Sequence, residues 1–326
     1  MIILSAKEVT DLLPMDQAIL ITRKAMIGVS RGEANLPLRT AIDVGGPNKL
    51  GIMPGVLNDG GTYGVKLLSL FPGNPENGLS SHIGAMLVFD PKTGVPAAIM
   101  SADAITAIRT AAASGAATDA LARKDAHSLA IVGTGEQAES HIAAMCAVRQ
   151  IERVTVVGSN LAKAENFVEQ LSGIYPNLSF SAADNVQNSV KAVDIICTTT
   201  STKTPILFGD WLAPGTHVNA VGASMPIFQE IDQSVLKAAQ IFVDYRPSAF
   251  AQALEIIDAL ELGVIQKADI LAEIGEVFAG DHPGRTSDKD ITLYRSLGVA
   301  SQDLAAAEFV MKQAIALGVG IEASLN

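Results

Sequence analysis

Residues 131–140 read IVGTGEQAES, and this stretch decides the fold. The apolar run Leu129–Val132 reads as a strand. Gly133, Gly135 and Ala138 follow as G-x-G-x-x-A, and an amphipathic run to Ile151 reads as a helix. The first glycine permits a tight turn. The second lets the backbone approach a pyrophosphate, and the third, small residue lets the helix lie close on the strand, with its N-terminus toward the anion. A glycine triplet alone is a weak signal, but a strand before it and a helix after it make it specific. The alternative is an ordinary glycine turn. Gly133, Gly135 and the adjacent Glu136 are the expected contacts of a dinucleotide.

Working outward, short apolar runs alternate with amphipathic ones. Strands are expected at 128–133, 153–159, 178–183, 194–200, 216–223 and 240–245, and helices at 136–151 and 161–174. That alternation predicts parallel strands with crossover helices, an α/β doubly wound sheet of Rossmann type. The residues before it read differently. Segments 61–75 and 82–100 look like strands joined by Gly/Pro turns, with Asp90–Gly94 (DPKTG) as a hairpin connection. An Ala-rich helix follows at 101–124, with Ser101 as its N-cap, and is expected to pack closely between two domains. The helix 301–317 lies too far along the chain for the six-strand unit and is expected to return to the first domain. The expected organisation is residues 1–115 plus 301–326 as one α/β domain, with the dinucleotide domain, 116–300, inserted into it.

Composition bounds the rest. The 326 residues are 48% hydrophobic and 17% charged, ample for buried cores. No apolar run reaches the roughly 18–20 residues of a membrane span. The N-terminus lacks a basic n-region and its apolar run is short for a signal peptide, so the expected location is the cytoplasm. A net charge of −11 disfavours nucleic acid as a partner and requires a local cationic cluster to attract any anionic ligand. Two cysteines, Cys146 and Cys197, read as separate buried thiols. The five histidines show no metal-binding spacing, so no metal is expected.

Two features bear on chemistry. At the end of the second strand, NAD sites usually carry an acid that bonds the ribose 2′-hydroxyl. Here Ser159 and Asn160 stand there, with Lys163 near, so a 2′-phosphate is not repelled: NADPH is favoured and NADH tolerated. The alternative is that Ser159 and Asn160 only cap the next helix. Outside the dinucleotide segment, Arg39, Lys66 and Arg109 are cations set among apolar or strand residues. Such a charge is costly unless it meets an anion, either an internal partner such as Asp103 or Asp303 or an incoming carboxylate.

These segments together resemble the ornithine cyclodeaminase/mu-crystallin family over almost the full length. The resemblance rests on PLRT (37–40), GVK (64–66), FPGNPENGLSSH (71–82), AITAIRTAAAS (104–114), IVGTGEQAESH (131–141), NAVGAS (219–224) and GRTSDKDITLYRSLGVASQDLAAA (284–307). It implies a substrate-binding and dimerisation domain built from both chain ends, a central Rossmann domain, and a homodimer. It also implies that Ser81, His82, Arg109, Gln137, Asn160, Thr198, Thr199, Val221, Ser224 and Ser296 line the cofactor. Cyclodeaminases of the family carry a catalytic Asp where this chain has Ser224, and a Lys where it has Phe228. A hydroxyl is a poor acid/base beside an amine, which puts ornithine cyclodeamination in doubt. The resemblance points instead to NAD(P)H-dependent reduction of a cyclic imine carboxylate: Δ1-pyrroline-2-carboxylate to L-proline, with the six-membered Δ1-piperideine-2-carboxylate to L-pipecolate as a further candidate reaction. Arg39, Lys66 and Arg109 would fix the carboxylate, and Lys66 or a water held by Ser224 would supply the proton. Ser224 could equally be only a small residue beside the nicotinamide. The alternatives are an alanine-type amino-acid dehydrogenase and a non-catalytic, NADPH-dependent, crystallin-like binding protein.

Overall fold

A computed structural model describes residues 1–58 and 60–325. The chain divides into two compact units, Met1–Arg109 with Val299–Asn326, and Thr110–Gly298. One boundary falls within the helix Ala102–Leu121, whose first turn is capped by Ser101 Oγ accepting from Ala104 N–H.

The first unit is a seven-stranded sheet. Its strands are β1 (Ile2–Leu4), β2 (Thr40–Gly45), β3 (Asn48–Val56), β4 (Tyr63–Leu70), β5 (His82–Phe89), β6 (Pro96–Ser101) and, from the far end of the chain, β15 (Ile321–Glu322). Their order is β15-β1-β6-β5-β4-β3-β2, and β2 to β6 form an antiparallel meander. The β5–β6 connection is the expected hairpin. Asp90 Oδ1 accepts from the N–H groups of Lys92 and Thr93, and Gly94 takes φ +74°, a conformation that favours glycine. On the covered face, the register aligns Met53, Lys66, Met86 and Met100 across β3 to β6, all buried.

The helix Ala300–Leu317 packs over β3, β4 and β5 of this sheet. Its first two turns are fully buried and rich in alanine, so it can approach closely. Glycines on the strands complete the fit. A Cβ on Gly55 would sit 3.0 Å from Ala300 Cβ, and one on Gly64 would sit 2.1 Å from the Leu87 carbonyl oxygen and 3.2 Å from Leu304. This approach carries Asp303 down onto Lys66.

The second unit is an eight-stranded, wholly parallel sheet, as expected for a doubly wound α/β fold. Its strands are β7 (Ser128–Val132), β8 (Arg153–Val157), β9 (Ser179–Ala183), β10 (Ile195–Thr198), β11 (His217–Ala220), β12 (Gln240–Val243), β13 (Ile270–Glu273) and β14 (Thr292–Arg295), in the order β13-β12-β14-β11-β10-β7-β8-β9. Every residue of β7, β10, β11 and β14 is buried, which is the mark of central strands covered on both faces. The six expected strands are all present. β13 and β14 are additional: ILAE and TLYR are four-residue mixtures of apolar and polar side chains with no periodic signal of their own. Cys146 and Cys197 are free thiols. Among the described residues no helix is long and apolar enough to cross a membrane, and no His/Cys/Asp/Glu group could hold a metal ion.

Candidate active site

In the second unit, the chain leaves β7 at Val132 and turns through Gly133, whose φ is +127°. A Cβ there would lie 2.6 Å from Thr199 Oγ1 and 3.0 Å from its carbonyl, so only glycine fits. Gly135 is the N-cap of the helix Glu136–Val148 and no side chain caps it. A Cβ on Gly135 would meet nothing within 4 Å, so the space beside this N-cap is open, and the first N–H groups of the helix have no side-chain cap. Ala138 is fully buried against the strand. Glu136 is exposed, and Gln137 keeps its Oε1 buried without a hydrogen-bond partner. His141, one turn on, is structural. It bonds the Gln137 carbonyl and Ser114 Oγ, and burial pushes its pKa down to about 4.

The ends of β8, β10, β11 and β14 surround this turn in the sheet order. After β8, Asn160 caps the helix Leu161–Ser172 by accepting from Lys163 N–H at 3.0 Å, so the capping role weighed for it is real. Ser159 and Lys163 are exposed beside it, and no acid follows the strand. After β10, Thr199 donates from both N and Oγ1 to the Val132 carbonyl, while the Thr198 hydroxyl is buried and turned toward Glu230. After β11, Val221 N–H bonds the Thr198 carbonyl, and the half-buried Ser224 closes a turn onto Gly222. Ser296, just past β14, is buried with its Oγ unpartnered. A glycine turn, an uncapped helix N-terminus and two orphaned oxygens, Gln137 Oε1 and Ser296 Oγ, fit a dinucleotide laid over the carboxyl ends of the strands.

In the first unit, Lys66 points from β4 toward the covering helix and is 1% exposed. Its Nζ donates to Asp303 Oδ1 at 2.8 Å and to Thr106 Oγ1 at 3.2 Å. Arg109 Nε donates to the same Asp303 oxygen at 2.8 Å, and its Nη1 to Gln302 Oε1 at 2.9 Å. Asp303 Oδ2 is buried with no partner. Of the two internal partners considered, Asp303 is the one used; Asp103 bonds neither cation. Burial, followed by the Arg109 charge, lowers the Lys66 pKa to about 7, against the pull of Asp303, and Arg39 adds to the lowering. Burial alone would raise the Asp303 pKa, but Arg109 and Lys66 outweigh it and hold the carboxyl below its ordinary range. Arg39 is half-buried in the segment leading into β2. Ser81 Oγ lies 2.9 Å from His82 Nδ1, and burial of the ring, then the Lys66 charge, lowers the His82 pKa although the residue stays exposed overall.

The structure therefore groups the expected residues into two sets. Lys66, Arg109 and Arg39, with His82 close enough to feel Lys66, form a cationic cluster in the first unit. Gly133, Gly135, Gln137, Thr198, Thr199, Val221, Ser224 and Ser296 gather at the strand ends of the second. Sequence reasoning missed Glu230, Thr200, Thr106 and Gln302. The signal for Glu230 was faint, a single acid in PIFQEID between apolar residues.

The fold and these two sets define a class: a dinucleotide-binding, doubly wound α/β protein with a second, sheet-bearing unit that carries a buried cationic cluster. The chain belongs to the ornithine cyclodeaminase/mu-crystallin family, which it matches over residues 1–317. It is 33% identical over 322 residues to a Δ1-pyrroline-2-carboxylate reductase of Bacillus cereus, covering 98% of each chain. It is 35% identical over 319 residues to an alanine dehydrogenase of Archaeoglobus fulgidus, covering 98% of this chain and 97% of the relative. Among solved structures it is similar to the Δ1-pyrroline-2-carboxylate reductase of Thermococcus litoralis in complex with NADH and L-proline. That match has a TM-score of 0.95 and 34% identity, and covers 99% of this chain and all of the other.

Proposed function

We propose that this chain is an NAD(P)H-dependent reductase of cyclic imine carboxylates, turning Δ1-pyrroline-2-carboxylate into L-proline and extending to Δ1-piperideine-2-carboxylate. The observation that carries the reading is the buried Lys66–Asp303–Arg109 cluster. Two cations share one carboxylate oxygen and Arg39 adds a further positive charge, so the group favours an incoming carboxylate. The Bacillus and Thermococcus relatives support the same chemistry.

When bound, the reduced nicotinamide supplies a hydride to the electrophilic carbon of the C=N bond. The protein's part is to hold the substrate and manage one proton. Arg109 and Arg39 grip the carboxylate, which fixes the adjacent imine carbon. Lys66, with its pKa near 7, carries a proton on Nζ in an appreciable fraction of molecules at neutral pH and can pass it to the imine nitrogen. Ser224 offers no comparable acid, which disfavours ornithine cyclodeamination. The turn at Gly133 and Gly135 holds the pyrophosphate, and the absence of an acid after β8 admits NADPH as well as NADH.

Purified protein given NADPH and Δ1-pyrroline-2-carboxylate is expected to oxidise the cofactor and form L-proline. Silence with both ring sizes rejects the reading. The Archaeoglobus relative favours one competing reading, an amino-acid dehydrogenase. Faster turnover of pyruvate with ammonia would establish that reading instead. A homodimer belongs to the proposal as well. The outward face of β2 to β5 exposes Ile42, Leu67 and Ile83, an apolar surface suited to a second copy.

A further inference from the structure

We propose that Glu230 is a positioning residue for the nicotinamide dinucleotide, joining the phosphate turn after β7 to the turn after β11; this rests on the proposed cofactor reading. Glu230 is 2% exposed. Four donors converge on its carboxylate. Oε1 accepts from Thr200 N at 2.6 Å and Thr200 Oγ1 at 2.8 Å; Oε2 accepts from Gly222 N at 2.7 Å and Thr198 Oγ1 at 2.9 Å. The backbone of Glu230 is fixed in turn, its carbonyl accepting from the N–H groups of Ile206 and Leu207.

Two consequences follow from this geometry. Thr198 and Thr200 bracket Thr199, which bonds the Val132 carbonyl and lies where any Cβ on Gly133 would go. Holding the brackets therefore holds the wall of the phosphate turn. Gly222 lies between Val221 and Ser224, and a Cβ there would sit 2.1 Å from the Thr200 carbonyl and 2.7 Å from Glu230 Oε1. The two loops thus meet on this one carboxylate with no room between them. Arg295 braces the same turn from below, donating to the carbonyls of Ala220, Ala223 and Ser296 while paired with the buried Glu255. An amide is a poor replacement for the carboxylate: a threonine hydroxyl could turn to accept from its NH2, but on either side that NH2 would also face a backbone N–H, of Thr200 or Gly222, which can only donate.

A second carboxylate supplies the control. Asp194 performs the same task at the opposite, amino end of the sheet, accepting from His127 N, Ser128 N, Ser128 Oγ and Arg123 Nη2 just before β10. Ligands of parallel sheets bind at the carboxyl ends. The experiment compares Glu230→Gln with Asp194→Asn by thermal melting without cofactor and by titration of NADPH and of ADP-ribose, followed by fluorescence and calorimetry. Both variants are expected to melt at lower temperature. Only Glu230→Gln is expected to weaken NADPH by about tenfold or more, the scale of one lost charge-assisted network. It is also expected to narrow the gap between NADPH and ADP-ribose, because the turn at Gly222 no longer has its fixed place. Where Glu230→Gln fails to fold, Thr200→Val removes one donor and is expected to weaken NADPH by about threefold. NADPH affinities that fall equally in Glu230→Gln and Asp194→Asn, or that stay within about twofold of wild type in the Glu230 and Thr200 variants, overturn the proposal. A wild-type protein that binds neither NADPH nor NADH overturns the cofactor reading itself, and this proposal with it.

Discussion

Asp303 in the first unit and Glu230 in the second are both buried carboxylates, and they are kept in place by different means. Asp303 is met by two cations on a single oxygen, while its other oxygen goes unpartnered. Glu230 is met by neutral N–H and O–H donors on both oxygens. The pKa directions follow. The cations hold Asp303 below its ordinary range despite burial, whereas burial outweighs the dipoles and raises Glu230. A carboxylate held by cations shares their protons and makes its surroundings sensitive to pH. A carboxylate held by dipoles fixes backbone. On the proposed function, proton chemistry falls to the first unit and cofactor geometry to the second.

The largest expected effect tests the first half of that division. Lys66→Met keeps the length and apolar stem of the side chain among Met53, Met86 and Met100 but removes Nζ. If Lys66 is the proton donor, kcat/KM with Δ1-pyrroline-2-carboxylate falls by about 10²–10⁴, the usual worth of a positioned general acid. A loss under about tenfold would move that role elsewhere. Arg39→Ala comes next. If Arg39 grips the carboxylate as proposed, the substitution removes a charge-assisted bond made before and during reaction, so KM rises by about 10–100-fold with kcat changed far less. Initial rates over a range of imine concentrations measure this, and an unchanged KM places the carboxylate away from Arg39.

Asp303→Asn sharpens the comparison through pH. With the Lys66 pKa lowered to about 7, the proposed carboxylate affinity is expected to weaken as pH rises through that value. Removing the Asp303 charge leaves Lys66 facing Arg109 and Arg39 alone, and its pKa falls further. The KM of Asp303→Asn is therefore expected to exceed that of wild type most at pH 7–8 and to approach it as pH falls. A ratio of KM values that is flat with pH would show that Asp303 acts only in packing. Stability follows the same proton. The Lys66 pKa lies below its ordinary 10.5, so between about 7 and 10.5 the folded chain binds fewer protons than the unfolded one. The unfavourable contribution of Lys66 is full below that window and fades as pH rises through it. Denaturant midpoints of wild type relative to Lys66→Met are expected to rise across the window.

Much of this arrangement was legible before the structure. The turn at 131–140 specified the parallel sheet because its glycines, its preceding apolar run and its following helix each meet a separate geometric need. Lys66 and Arg109 stood out because a cation among apolar residues has to find an anion. Asp103, Asp303 and an incoming carboxylate were all candidates, and the sequence did not choose among them. Asp303 lies 237 residues from Lys66 and reaches it only through a close helix–sheet contact that Gly55, Gly64 and Ala300 permit. Glu230 was hidden for a related reason. Its partners are mostly backbone N–H groups and threonine hydroxyls, which carry no charge pattern for a sequence to display. β13 and β14 were missed because tertiary burial, and not local periodicity, makes strands of ILAE and TLYR.

The smallest expected effect concerns the rim of the cofactor site. Ser159 and Lys163 are exposed after β8, and Asn160 has its Oδ1 committed to the Lys163 N–H. On the proposed cofactor reading, the 2′ group of the adenosine ribose would meet an open, uncharged or weakly cationic edge here. Ser159→Asp places an acid where NAD-selective sites carry one. It can bond a 2′-hydroxyl and repels a 2′-phosphate. Solvent screens an interaction at so exposed a position, so the expected shift of the NADPH/NADH preference toward NADH is about two- to fivefold. It should shrink as ionic strength rises. Competition titrations of the two reduced cofactors at low and high salt measure it. A ratio unmoved by the substitution would mean that Ser159 faces away from the ribose and that cofactor choice is made elsewhere on this edge, with Lys163 the next side chain to change.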